Sequence, residues 1–148
     1  MSNTKFKYHL KHEELGCDCP NMDNLESINN HVYRWLFSDL THINNHLPPF
    51  LISPNRIDSE DDCKSKCDGF ALSMFTDLVK AEKKYIKLVK RKPLLVEVFG
   101  NGIGKLKLIE SDGMADKPSK SSSHFNFHEF ENENNQFIFE YIKDIKIE

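Results

Sequence analysis

The chain has 148 residues, of which 39% are hydrophobic and 29% charged, and its formal net charge is −3. This length is typical of one domain, and the composition excludes a disordered chain, which would contain fewer aromatic and apolar residues. The sequence has no run of 18 apolar residues, which excludes a transmembrane helix, and its overall charge argues against a general nucleic-acid binder.

Residues 1–30 are polar and predict an irregular lead-in to the core. A short helix within this lead-in, in addition to the main helix of the domain, is the alternative. They precede an α+β core over residues 31–148, and we expect the whole chain to form a single domain. Residues 38–62 contain prolines and an acidic run, which is typical of a long connection. Within this connection, Phe50, Leu51 and Ile52 are expected to pack into the core.

Six segments carry β-forming or alternating apolar residues and predict five or six strands. The segments are 32–37, 70–75, 94–99, 105–108, 124–128 and 137–142. Residues 100–104 predict a turn rather than a phosphate loop, because the G-x-G-x-x-G order and a following helix are both missing. We therefore expect a mostly antiparallel, twisted sheet.

The clearest helix signal covers residues 77–92. Thr76 and Asp77 supply an N-cap and a first-turn acid, and Pro93 ends the helix. The apolar positions are spaced three, four and three residues apart and form one face: Leu78, Ala81, Tyr85 and Leu88. The fold class expected is α+β, with the sheet packed against this one main amphipathic helix.

The helix lies in a basic part of the chain. Residues 76–108 contain nine basic and three acidic side chains, while the segments on either side are acidic. A positive stripe on the helix is expected to bind an acidic partner, unless it is only a solvated face. The stripe consists of Lys80, Lys83, Lys84, Lys87 and Arg91. We predict a protein-binding or accessory module; nucleic acid is the weaker alternative, since no aromatic residues interleave with the lysines.

Two histidines extend this candidate surface. His124 and His128 are four residues apart and project from the same face of a strand or helix. With Glu129 they could form an acid–base or metal cluster, although a surface strand carrying two imidazoles is the commoner arrangement.

The four cysteines form two close pairs, Cys17 with Cys19 and Cys63 with Cys67, and His9 and His12 precede the first pair. Four thiolates could hold zinc, but neither spacing is the two-residue gap of a zinc knuckle. Since the first residues contain no apolar stretch typical of a signal peptide, we expect a cytoplasmic protein, in which thiols stay reduced. Free thiols and no bound metal are therefore the expectation.

The order of Arg34, Ser73 and the Glu129–Glu131 pair resembles the Arg, Ser-Thr and Glu-x-Glu order of ADP-ribosyltransferases. The resemblance implies NAD as cofactor, with Arg34 and Ser73 holding the dinucleotide and Glu131 orienting the reacting ribose, with Glu129 and His124 beside them. The residues after Ser73 depart from the Ser-Thr-Ser pattern of that family. A nucleotide-using transferase is the alternative function.

Residues 32–130 also resemble a group of small bacterial proteins without an assigned function. The matching residues are Tyr33-Arg34, Leu47-Pro48, Leu72-Ser73-Met74-Phe75, Asp112-Gly113 and His124-Phe125. This resemblance implies one continuous domain and a bacterial source. It implies no particular activity.

Overall fold

The computed structural model describes residues 5–132 and 137–147, and its fold is α+β, as the sequence predicts. The helices are α1 (His9–Glu14), α2 (Pro49–Ile52), α3 (Cys63–Asp68), α4 (Leu78–Arg91) and α5 (Val96–Phe99). The strands are β1 (Asn30–Leu36), β2 (Leu72–Phe75), β3 (Gly102–Leu108), β4 (Gly113–Ala115), β5 (His124–Glu129) and β6 (Glu140–Asp144). Short 3-10 turns occur at Met22–Asn24, Ile43–His46, Pro54–Ser59 and Pro93–Leu95.

These strands form one sheet in the order β4-β5-β2-β1-β3-β6, and all neighbouring strands are antiparallel. The longest pairing joins β1 and β3, from Asn30 opposite Leu108 to Leu36 opposite Gly102. By contrast, the register between β1 and β2 is a single pair, Tyr33 opposite Phe75. The two strands therefore need other contacts to hold them together.

Helix α4 confirms the strongest prediction from the sequence. The N-cap is Asp77 rather than Thr76, and its carboxylate accepts from the backbone N–H of Lys80 at 2.9 Å. Ala81 and Tyr85 are fully buried, because the three- and four-residue spacing places them on the side that faces the sheet. The lysines project away from this face.

Each face of the sheet has its own core. The α4 side contains the aromatic and aliphatic residues Trp35, Phe75, Tyr85, Val89, Ile103 and Ile145. The opposite face contains Val32, Leu36, Leu72, Met74, Phe125, Phe127 and Phe139. Because both faces are covered, the central strands β1 and β2 place large apolar side chains on both sides of the sheet; Arg34 of β1 and Ser73 of β2 are the polar residues between them.

The strand predicted over residues 94–99 is wrong, since this segment forms a 3-10 turn followed by α5. Pro93 favours this geometry at the start of the turn, and Leu95, Val96 and Phe99 pack against the α4-side core. Gly100 ends the helix at φ +75°, where a Cβ would meet the Leu36 carbonyl oxygen. The predicted turn over 100–104 is also wrong in part, because β3 begins at Gly102.

Two smaller differences concern the ends of the sheet. Strand β4 was not predicted; three residues are too few to show a periodic pattern. The last strand lies at Glu140–Asp144, whereas the predicted strand began at residue 137.

The lead-in is less irregular than expected, because it includes α1 and buries His12. Phe50 packs into the core as predicted, with 5% of its surface exposed.

The expectation of free thiols is wrong, because all four cysteines form disulfides, Cys17 with Cys63 and Cys19 with Cys67. Both bonds connect the lead-in to α3. The sequence spacing could not show this, since each bond joins residues more than 45 positions apart. Within the two described ranges, every helix is too short or too polar to cross a membrane.

Candidate functional site

A positively charged groove lies along the outer face of α4. It has a volume of about 400 Å3 and is lined by Lys80, Lys83, Lys84, Lys87, Leu88, Arg91, Ser121 and Ser122. The spacing of the cationic residues along the helix places them on one side, and the loop before β5 forms the other wall. The structure therefore brings together all five basic residues that the sequence singled out.

Several hydrogen bonds fix the loop against the helix. The Lys80 ammonium donates to the Lys120 carbonyl at 3.1 Å, and the backbone N–H of Asp77 donates to the Ser123 hydroxyl at 3.1 Å. The backbone N–H of Thr76 also donates to the Ser123 carbonyl at 3.2 Å. The start of α4 and the start of β5 are thus joined, and this joint sets the width of the groove.

The charge of the groove has a single sign. Among the described residues that line it, five are cationic and none carries a carboxylate. Glu82, on the same helix, instead forms an ion pair with Lys143 of β6, with the ammonium 2.8 Å from the carboxylate. Because like charges that converge on a concave surface reinforce the local potential, the groove attracts anions.

The two histidines of β5 lie outside this groove. His124 contacts the Ser73 hydroxyl through Nε2 at 3.1 Å, and burial, aided by the charge of Lys84, lowers its pKa to about 4. His128 is 3% exposed, so the predicted surface role does not fit its position. The two rings share one face of the strand, as predicted, but each contacts different neighbours.

Arg34 and Ser73 are neighbours, and each guanidinium nitrogen of Arg34 makes one hydrogen bond, which uses three of its five N–H groups. Its nitrogens donate to the main-chain carbonyls of Asn45, Leu47 and Ser73 at 3.0, 3.1 and 2.8 Å. The cavity beside it measures about 30 Å3, which holds roughly one or two water molecules. A dinucleotide requires hundreds of Å3, roughly 300 or more.

Glu129, the first glutamate of the resemblance, interacts electrostatically with the guanidinium of Arg34. Glu131 is exposed, and its Oε2 lies 3.4 Å from Nε2 of His9. Glu129 is buried, with Lys7 Nζ 3.5 Å away, and its burial raises the pKa of the carboxyl. Neither residue lines the cavity of Arg34 and Ser73. The four residues therefore do not form one described pocket.

A second cluster was not predicted as a unit. The ligand-capable atoms of His12, Cys67 and His128 all lie within 4.8 Å of one another, and the three residues are buried. Burial lowers the pKa of both imidazoles, that of His128 to about 4. His12 and Cys67 were noted in the sequence as separate candidates, but the 116 positions between His12 and His128 gave no signal for the cluster.

An open cavity of about 280 Å3 adjoins this cluster. It is lined by both disulfide-bonded helix residues, Cys63 and Cys67, and by Lys64, Asp68, Asp116 and His128. Lys64 donates to Asp68 at 2.6 Å and lies 3.7 Å from Asp116, so this one ammonium serves two of the three carboxylates that line the cavity; the third belongs to Asp18. The excess of carboxylates distinguishes it from the cationic groove on α4.

Comparisons with protein-family models, curated proteins and solved structures found no match to this chain.

Proposed function

We propose that this protein is a binding module that holds an acidic segment of a partner protein in the groove along α4. The observation that carries the proposal is the set of five cations without a neighbouring carboxylate among the described lining residues. A solvated helix face with no function would be expected to mix charges of both signs. Here the one acidic residue within Leu78–Arg91, Glu82, lies outside the groove and pairs with Lys143 of β6.

The dimensions of the groove suit a short extended peptide. From Lys80 to Arg91 the helix rises about 16 Å, at 1.5 Å per residue. An extended chain covers this distance in about five residues, at roughly 3.3 Å each. The half-buried Leu88 adds an apolar contact at the floor. Carboxylates along such a segment would meet successive ammonium groups.

Other classes have less support. Nucleic-acid binding would call for aromatic side chains on which bases stack, and none lies among the described groove residues. The nucleotide-transferase alternative would require a phosphate to reach Arg34, whereas the cavity beside it measures about 30 Å3 and three of its five N–H groups already donate to carbonyls.

The compartment is part of the same proposal. The sequence alone predicts the cytoplasm. Two disulfides favour a compartment that is not reducing, because cytoplasmic thiol systems keep most cysteines reduced.

The test uses a fluorescently labelled polyglutamate peptide titrated with the intact protein at low salt. We expect saturable binding that weakens steeply as salt increases. The double variant K83E/K87E should weaken binding by at least about tenfold, since each reversed pair changes the binding free energy by roughly 1 kcal/mol. The matched control is K90E/K107E, which reverses two exposed charges outside the groove and should retain wild-type affinity within about twofold.

Two results would overturn the proposal. One is equal affinity of wild type and K83E/K87E for the peptide. The other is tighter binding of single-stranded DNA than of polyglutamate under the same conditions, which would assign the groove to nucleic acid.

A further inference from the structure

The His12, Cys67 and His128 cluster contains two imidazole nitrogens that are buried and lack a hydrogen-bond partner within the described part of the chain. They are His12 Nε2 and His128 Nδ1, on side chains 5% and 3% exposed. A buried polar atom without a hydrogen-bond partner destabilises a fold, because it has lost its bonds to water and gained none in return. Unpaired buried atoms of this kind call for an explanation, and a bound ion is one.

Three separate elements create this convergence. His12 comes from α1, Cys67 from α3 and His128 from β5, and their candidate ligand atoms lie within 4.8 Å of one another. Cys19 is bonded to Cys67, so its sulfur lies at the same place, and the two Cα atoms are 5.5 Å apart. Two thiols and two imidazoles would therefore meet here once the disulfide is reduced.

We propose that the reduced protein binds one Zn2+ through His12, Cys19, Cys67 and His128, and that the metal and the Cys19–Cys67 disulfide are alternative states of this site. The proposal is independent of the groove on α4. Two thiolates and two imidazoles form one of the common tetrahedral sets for structural zinc. The other disulfide, Cys17–Cys63, takes no part.

The conversion requires a two-electron reductant, which we take to be a dithiol in the cell. The reductant supplies two electrons and two protons, is itself oxidised to a disulfide, and breaks the sulfur–sulfur bond between Cys19 and Cys67. Zinc binding then releases the two thiol protons to solvent, because only thiolates ligate the metal. A disulfide oxidant reverses these steps: it accepts two electrons from the thiolates and two protons from solvent to become a dithiol, while the Cys19–Cys67 bond forms again and the ion leaves.

The surroundings suit such a site. Zn2+ with two thiolates and two neutral imidazoles has no net charge, which limits the cost of burial. The rings of Phe6 and Phe70 lie against His12, with centroids 5.9 and 6.1 Å away, and form an apolar wall. Asp68 Oδ1 lies 3.9 Å from His128 Nε2, an ion-pair rather than a hydrogen-bond distance. A carboxylate beside the other ring nitrogen is a common neighbour of a ligating imidazole.

The first experiment uses the unaltered chain. The protein is reduced with a phosphine, incubated with Zn2+ or without it, alkylated, and analysed by peptide mass spectrometry. We expect zinc to protect Cys19 and Cys67 while Cys17 and Cys63 are alkylated, with one Zn2+ bound per chain. Absence of zinc uptake, or protection of Cys17 and Cys63 instead, would overturn the proposal.

The second experiment identifies the nitrogen ligands. Cobalt(II) added to the reduced protein should give intense visible bands of a tetrahedral centre with thiolate charge transfer. H12Q and H128Q should weaken zinc affinity at least about 100-fold, since even outer neighbours of a ligand contribute about 10–100-fold. H9Q, on the same helix as His12, and C17S/C63S are the matched controls and should bind as the wild type does.

Folding is monitored with the same samples. Zinc should raise the melting temperature of the reduced wild type, because it binds only the folded state. It should leave the oxidised wild type unchanged. Wild-type zinc affinity in both histidine variants, or equal zinc affinity of oxidised and reduced protein, would disprove the proposed ligand set.

Discussion

The guanidinium of Arg34 donates to the main-chain carbonyl of Ser73 at 2.8 Å, across the boundary between β1 and β2. Backbone pairing between these strands is limited to the register Tyr33 opposite Phe75. The side chain thus supplies a bond that the two backbones do not make here. Its other nitrogens donate to the carbonyls of Asn45 and Leu47, which fixes the connection after β1.

This arrangement predicts that Arg34 is essential for stability. Arg34→Met keeps much of the side-chain length but removes the donors to three carbonyls, each costing about 1–3 kcal/mol when left unpaired. We expect the free energy of unfolding in urea to fall by about 3 kcal/mol or more. Arg56→Met, at an exposed position, is the control. A loss below about 1 kcal/mol for Arg34→Met would contradict this role.

His124 makes stability depend on pH. Burial lowers its pKa to about 4, compared with 6.5 for the unfolded chain. Between pH 4 and pH 6.5 the unfolded chain binds more protons at this imidazole than the folded chain does. The contribution of neutral His124 to the free energy of unfolding is therefore fully present above pH 6.5 and is lost as the pH falls toward 4. One such group contributes a slope of up to about 1.4 kcal/mol per pH unit.

The variant that tests this is His124→Gln, with urea unfolding measured at several pH values across that window. The slope of the free energy of unfolding against pH should become shallower by up to about 1.4 kcal/mol per pH unit. His31→Gln, at an exposed position of β1, is the matched control. A slope that His124→Gln leaves unchanged would show that other groups dominate the acid sensitivity.

Tyr85 joins α4 to the segment that precedes β3. Its hydroxyl donates to the Gly100 carbonyl at 2.7 Å, and the ring is fully buried. Tyr85→Phe should reduce the free energy of unfolding by about 1–2 kcal/mol, because the buried carbonyl loses its donor. Tyr141→Phe removes a surface hydroxyl that contacts Asp144 and should change it by less than about 0.5 kcal/mol. Equal losses in the two variants would refute the distinction between the buried and the exposed bond.

The two disulfides should stabilise the fold non-additively in metal-free protein. If one bond is already present, the other closes only a small ring formed by residues 17–19 and 63–67. Loop entropy then gives about 2.5 kcal/mol for removing either bond, but about 6.5 kcal/mol for removing both.

Thermal and urea unfolding of C17S/C63S, of C19S/C67S and of the quadruple serine variant would measure these values. The quadruple variant should lose more than the two double variants together. A loss equal to their sum or smaller would show that the unfolded chain does not follow the loop model.

The secondary structure that could be read from the sequence is the part set by local patterns. Helix α4 has a complete signal, from the Asp77 cap to Pro93, and the spacing alone placed Ala81 and Tyr85 among its buried residues, whereas Leu88 is only half-buried and Val89 beside it is buried. The segment over residues 94–99 lacks such a signal. Its apolar residues suit a strand or a buried helix equally well, and contacts with the α4-side core decided the outcome.

The groove and the histidine–cysteine cluster also differ in whether a local sequence pattern predicts them. One amphipathic helix placed the five cations together, so the sequence by itself determined the basic stripe, the helix that carries it and the α+β class. Only the tertiary structure decided which cysteines meet, and that His12 and His128 converge with them. The reason is physical: helix periodicity relates residues a few positions apart, whereas chain folding alone brings together residues more than 100 positions apart.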